Sequence, residues 1–205
     1  LLLLPPAATA VINAIEGAAV NLALMTDASD PPTIRAFNLR NYQTTTIFKY
    51  TLDDLEALGV SREVDGVNRT LRPHGLALRE GAYADSIYWA DAGAGAILGV
   101  RFDSSGVRVL ASGLDRPEYV ALDVTSAGGL GLYWGDSGTN TIQRGTVVGE
   151  AGAGECSAAG VLDVLVGVPH VAGLVVYNGR LYWADGVGLK IHSALVDSAT
   201  GGLVP

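Results

Sequence analysis

The sequence predicts an all-β fold, a β-propeller built of four-stranded blades, and three observations carry that expectation. A tetrapeptide of the form Tyr-Trp-x-Asp occurs at Tyr88-Trp89-Ala90-Asp91, Tyr133-Trp134-Gly135-Asp136 and Tyr182-Trp183-Ala184-Asp185, and these copies hold all three tryptophans of the 205 residues. The tyrosines are 45 and 49 positions apart, and each is followed nine positions later by an isoleucine: Ile97, Ile142 and Ile191. A proline precedes each tyrosine by 13 to 16 positions: Pro73, Pro117 and Pro169. Short apolar runs with period-two alternation lie between these marks, bounded by Gly, Asp, Ser and Asn, as expected of strands joined by turns. Four such strands in about 45 residues, repeated in tandem, are the sequence pattern of propeller blades.

In chain order, the first blade is expected over residues 1–41. There "LALMTDASDPPTIRAFNL" puts Leu24-Met25-Thr26-Asp27 in the motif slot and Ile34 ten positions after Leu24, with Pro6 as the leading proline. On that register the opening "LLLL" is a strand rather than the remnant of a signal peptide, and four leucines are too few to span a bilayer. An insertion follows over residues 42–70, in which Leu52, Leu55 and Leu58 alternate with Asp53, Asp54 and Glu56 and predict a short helix or a turn-rich excursion. Three clearer blades follow at 71–112, 113–165 and 166–205. Their prolines are followed by alternating runs ("HGLALRE", "EYVALDV", "HVAGLVV"), and "VRVLASGL" and "VLDVLVGV" precede Pro117 and Pro169.

Neighbouring side chains on a strand point to opposite faces. Tyr88, Tyr133 and Tyr182 should therefore face one adjoining blade, and Trp89, Trp134 and Trp183 the other. Asp91, Asp136 and Asp185 come at a strand end before Gly-containing turns, where a carboxylate accepts backbone N–H groups in an Asx arrangement. All nine are expected to be architectural. Carboxylates on three separate blades cannot converge on one metal or substrate.

The Tyr-Trp-x-Asp motif, the leading proline and the trailing isoleucine resemble the YWTD (class B) repeats of the low-density lipoprotein receptor family, with three good copies and one worn one along the chain. The resemblance implies a six-bladed propeller, of which this chain supplies about four blades as part of a longer polypeptide. It also implies a role in extracellular ligand binding or rigid domain docking. Ala or Gly stands in place of the motif threonine in the clear copies, and the 205 residues themselves contain no cysteine-rich module.

Composition narrows the function classes. A net charge of −8 and a pI near 4.7 oppose binding to nucleic acid or to an anionic membrane surface, and no run is apolar enough for direct membrane insertion. Cys156 is the only cysteine, so no intrachain disulfide can form, and it sits in the Gly/Ala-rich "GEAGAGECSAAG" without a neighbouring histidine. The strings "AGAGAILG" and "GEAGAGE" lack the strand–turn–helix context and the lysine of phosphate loops and read as turns. Asn68-Arg69-Thr70 is a glycosylation sequon, marking Asn68 as a candidate modification site.

One coincidence points to chemistry. The residue after each leading proline is His74, Glu118 or His170, and two histidines with a glutamate form a familiar zinc set. The plainer expectation is a wet channel mouth with neither metal nor cofactor. His192 is expected at the surface or between blades. Arg35, Arg40, Arg62, Arg69, Arg72 and Arg79 cluster in the first half, mostly around the insertion, where a solvated loop is the plainer expectation and a basic contact patch the alternative. The leading expectation is a non-catalytic protein-interaction or structural module, extracellular or lumenal, that binds protein partners through propeller loops, with the insertion as its specific contact. A lactonase-like, metal-dependent hydrolase with its site at the channel mouth is the alternative, and a sugar- or peptide-binding module a third reading.

Overall fold

The computed structural model describes residues 22–79, 86–101, 106–123, 130–148, 157–197 and 199–204. The strand expected at "LLLL", the leading Pro6 and the loop around Cys156 lie outside these residues. Among the described residues four antiparallel sheets of three or four strands follow one another along the chain, with a two-stranded hairpin between the first and second. The first contains β1 (Leu22–Asp27), β2 (Thr33–Asn38) and β3 (Thr44–Lys49) in that order. The second contains β6 (Pro73–Arg79), β7 (Ser86–Asp91), β8 (Ala96–Arg101) and β9 (Arg108–Ala111). The third is β10 (Pro117–Asp123), β11 (Leu130–Asp136), β12 (Thr141–Val148) and β13 (Ser157–Val166). The fourth is β14 (Val171–Tyr177), β15 (Arg180–Asp185), β16 (Lys190–Val196) and β17 (Leu203–Val204). Each four-stranded sheet is a simple meander, the motif strand is always second, and the whole is a β-propeller arrangement of successive blades.

Leu24-Met25-Thr26-Asp27 lies on β1, paired in register with Thr33–Ala36 on β2, so the worn copy occupies the motif strand of the first sheet. Residues 44–49, inside the stretch expected to be an insertion, form β3 and complete that sheet. "TTTIFK" carries only a weak apolar alternation, and pairing with β2 through Ile34↔Phe48 supplies what local pattern does not.

The excursion proper runs from Tyr50 to Arg72. Its helix α1 (Leu52–Glu56) is a single turn begun by a capping box, in which the Thr51 hydroxyl accepts from the Asp54 N–H and the Asp54 carboxylate accepts from the Thr51 N–H. A hairpin of β4 (Glu63–Val64) and β5 (Val67–Asn68) turns through Asp65 and Gly66, both at positive φ (52° and 75°), as expected of an Asp-Gly hairpin turn.

Apolar clusters fill the space between neighbouring sheets. Leu24 and Ile34 of the first sheet pack with Leu76, Trp89 and Leu98 of the second, and Tyr50, Leu55 and Val60 of the excursion join them. Tyr88 and Ile97 of the second sheet pack with Val120, Leu132 and Trp134 of the third. Tyr133 and Ile142 of the third pack with Val171 and Leu181 of the fourth, with Trp183 against them. The motif tyrosine thus faces the following sheet and the tryptophan the preceding one. Trp89, Trp134, Tyr88 and Tyr133 are all completely buried.

Candidate interaction face

Asp91, Asp136 and Asp185 each end their motif strand, and each accepts hydrogen bonds from the turn that follows. Asp91 accepts from the backbone N–H groups of Arg72 and Ala94, each at 2.8 Å, and from the Tyr50 hydroxyl at 2.7 Å. That hydroxyl in turn accepts from Trp89 Nε1 at 3.1 Å. Asp136 accepts from the N–H groups of Asp115, Arg116, Gly138 and Thr139. Asp185 accepts from Val187 and Gly188. These carboxylates are committed to turn N–H groups on separate sheets.

Burial sets them apart electrostatically. Asp91, with no exposed surface, has its pKa raised above 3.8 by desolvation, which its hydrogen bonds partly offset. Asp185 has its pKa lowered from 3.8, first by the Gly188 N–H. Tyr50 is pushed well above 10 by burial and by the neighbouring Asp91.

The first strands of successive sheets, β6, β10 and β14, lie side by side. Strand register revises the equivalence drawn from the prolines. Pro73 stands opposite Asp91, Pro117 opposite Asp136, and Val171 opposite Asp185, each followed by a one-residue bulge. Val171, not Pro169, therefore fills the fourth sheet's proline position. His170 belongs with Arg72 and Arg116, since the N–H groups of Ala92, Ser137 and Gly186 donate to the carbonyls of Arg72, Arg116 and His170 in turn. Ala172 is the counterpart of His74 and Glu118. The hairpin from β14 to β15 turns through Asn178 and Gly179 alone, which shortens the spacing on which the proline alignment relies.

The result is a rim of Arg72, Arg116 and His170 with Glu118 set among them. Glu118 lies 3.5 Å from Arg116 Nε and 3.7 Å from His170 Nδ1, and its Oε2 is buried without a hydrogen bond. His74 is half-buried, and its pKa is lowered from 6.5, mainly by desolvation, with Glu118 opposing and Arg72 adding. Glu118 and His170 are brought together. Among the described residues, however, no group of three His, Cys, Asp or Glu side chains is arranged to hold a metal ion.

The excursion borders this rim. Arg69 donates to the Gly93 carbonyl at 3.0 Å and lies between two cavities of about 360 and 440 Å³. One is lined by Pro32, Thr51 and Leu52, the other by Val64, Val67 and Leu114. Arg62 is engaged by Asp53 and Glu56. Asn68 of the sequon is exposed on β5. Arg35 is not on this rim: it lies on the outward face of the first sheet and pairs with Asp27 at 3.0 Å. His192 stacks on Trp183 with ring centroids 5.4 Å apart. The Tyr50 link to Trp89 and Asp91 has no local sequence signal, because its partners are about forty residues away.

No protein-family model matches the chain, and no curated protein matches it. Among solved structures it is similar to the Saccharomyces cerevisiae Sqt1, with 13% identity and a TM-score of 0.52 over 93% of this chain and 46% of that one. A nidogen/laminin complex is similar at 22% identity and a TM-score of 0.47, covering 90% of this chain and 74% of that one. A puromycin-hydrolysing peptidase of Mycobacterium tuberculosis aligns at 11% identity and a TM-score of 0.48, and the chain spans 31% of its length. At these identities the likeness to Sqt1 speaks to fold alone. No described helix is long and apolar enough to cross a membrane.

Proposed function

We propose that the chain is a non-catalytic protein-interaction or structural module related to the YWTD repeats, working outside the cell or in a lumen, and that it grips its partner through the face bearing the motif aspartates. One observation carries this reading: Arg72, Arg116 and His170 stand at equivalent positions immediately before adjoining first strands, in a chain whose net charge is −8. A rigid scaffold that presents basic side chains from several sheets beside a repeat-breaking excursion suits recognition of an acidic protein segment. The carboxylates nearest that rim are engaged by turn N–H groups or by Arg116 and His170, which favours binding over catalysis. Asn68, exposed on the excursion, is the proposed glycosylation site.

The test uses a polyglutamate peptide as an acidic probe. Binding should weaken at least tenfold in the Arg72→Glu/Arg116→Glu variant and stay unchanged in Arg79→Glu, at the opposite end of β6. Equal loss in both variants, or no binding by the parent chain, would reject the face. Divalent-metal-dependent lactone hydrolysis that is abolished by Glu118→Gln would reject the non-catalytic reading.

A further inference from the structure

The turns that follow the motif strands can be laid over one another, because the pairings Asp91↔Ala96, Asp136↔Thr141 and Asp185↔Lys190 close them. The residue before each closing position is Gly95, Asn140 or Leu189, at positive φ of 60°, 58° and 52°. Two of the three turns thus hold this conformation with a side chain present, so Gly95 answers to a second constraint. A Cβ on it would run into the Leu114 carbonyl oxygen and stand 2.9 Å from Arg69 Nη1. The bare turn of the second sheet admits the guanidinium of Arg69, which the excursion supplies.

Seated there, Arg69 uses one of its donors. Nη1 donates to the Gly93 carbonyl at 3.0 Å, while Nε is buried without a hydrogen bond and no described carboxylate pairs with the side chain. Arg35, Arg62 and Arg116 all have such partners. Nε and Nη2 form the side edge of the guanidinium, the pair of parallel donors that a carboxylate accepts from in bidentate fashion. A buried donor without an acceptor is costly, and a carboxylate arriving at that edge relieves the cost.

An apolar wall stands beside it. Val64 and Val67 are directly paired across the Asp65-Gly66 turn, so their side chains share a face, and they are 45% and 69% exposed. With Leu114 and Arg69 they line the cavity of about 440 Å³. Both sides of this groove are fixed by backbone hydrogen bonds: Arg69 N–H to the Arg62 carbonyl at 2.8 Å, and Leu114 N–H to the Gly95 carbonyl at 3.0 Å. Ala92, also in its lining, donates to the Arg72 carbonyl at 3.0 Å and so joins the groove to the basic rim. We propose, resting on the acidic-segment reading above, that this groove selects among acidic segments of partner proteins. It takes an Asp or Glu carboxylate on the free edge of Arg69 and an adjacent aliphatic side chain against Val64, Val67 and Leu114. The unpaired cation and the exposed valines call for one residue of each kind, side by side.

The test measures fluorescence anisotropy with two labelled peptides of equal length, polyglutamate and polyglutamate with a single central leucine. The chain is made in bacteria, so that Asn68, which lines the same groove, carries no glycan. The leucine peptide should bind about tenfold more tightly, the gain from partly burying one aliphatic side chain. The Val64→Ser/Val67→Ser variant should bring the two peptides to equal affinity. Arg69→Lys keeps the charge but loses the fork, and should weaken the leucine peptide roughly fivefold. Both valines are exposed, so the serine variant should fold with unchanged circular dichroism. Equal affinities in the parent chain, a leucine gain that survives the serine substitutions, or full binding by Arg69→Lys would each overturn the groove. The rim reading would survive those results if binding still fell in Arg72→Glu/Arg116→Glu. No binding of either peptide, or binding indifferent to that rim variant, would overturn the rim reading and the groove with it.

Discussion

The second and fourth sheets carry the same motif with opposite surroundings. In the second, Trp89 and Tyr88 are completely buried, and Asp91 sits in a closed network with Tyr50 and the Arg72 and Ala94 N–H groups. In the fourth, Tyr182 and Trp183 are only partly buried, and Asp185 serves a solvated turn. Identical residues therefore differ in what they contribute, because among the described residues the second sheet is packed on both faces and the fourth on one. The motif specifies a strand and its turn, while packing decides how much stability each copy contributes.

The widest gap between the two sheets should appear on truncating the aromatic residues. Trp89→Ala is expected to cost about 3–5 kcal/mol in denaturant unfolding, as for large buried aromatics generally. Tyr182→Ala should cost much less, and comparable losses would erase the distinction. Next comes the aspartate. Asp91→Ala leaves the buried Ala94 N–H, the part-buried Arg72 N–H and the Tyr50 hydroxyl without their acceptor, with an expected loss of about 3 kcal/mol. Asp91→Asn keeps an acceptor and should be far milder. Asp185→Ala should be hard to distinguish from the parent at neutral pH by the same measurement.

Gly135 tests the contact between sheets directly. A Cβ there would lie 2.7 Å from Val171 Cβ, so Gly135→Ala should destabilise by about 1–3 kcal/mol through overpacking. Pairing it with Val171→Ala should recover part of that loss, measured as a double-mutant cycle.

The smallest effects are those of pH. His74 binds fewer protons folded than unfolded, so its contribution is complete above pH 6.5 and is lost as pH falls from 6.5 towards its lowered folded value. His74→Gln should flatten thermal stability across that window. The two aspartates should act in opposite senses. Asp185 contributes above pH 3.8, and that contribution disappears as pH falls through its lowered value. Asp91 contributes most below 3.8 and loses that contribution as pH rises through its raised value. Acid unfolding curves of Asp185→Asn and Asp91→Asn should therefore shift in opposite directions.

Much of the fold is legible in the chain because Tyr-Trp-x-Asp sits on one strand and is set by local alternation and turn chemistry. The worn copy is legible for the same reason, since Leu24 and Ile34 keep the apolar slots although the aromatic residues are gone. The misplacement of His170 has a different origin. Proline fits either the strand's first position or the loop before it, so Pro169 looks equivalent while backbone hydrogen bonding gives that position to Val171. Asp65-Gly66 is a legible hairpin signal within the excursion. The link from Tyr50 to Trp89 is not, because nothing local distinguishes a tyrosine that will find a buried carboxylate forty residues away.

The contact between Gly135 and Val171 also bears on how such a chain can change by duplication and exchange. The third motif position of one unit is sized by a side chain belonging to the next, so a unit carries a requirement that only its successor can meet. Exchange at the junction of units three and four must move both halves of that match together. A breakpoint inside the pair would join a glycine to a neighbour that leaves it unfilled, or a larger residue to a valine that leaves it no room.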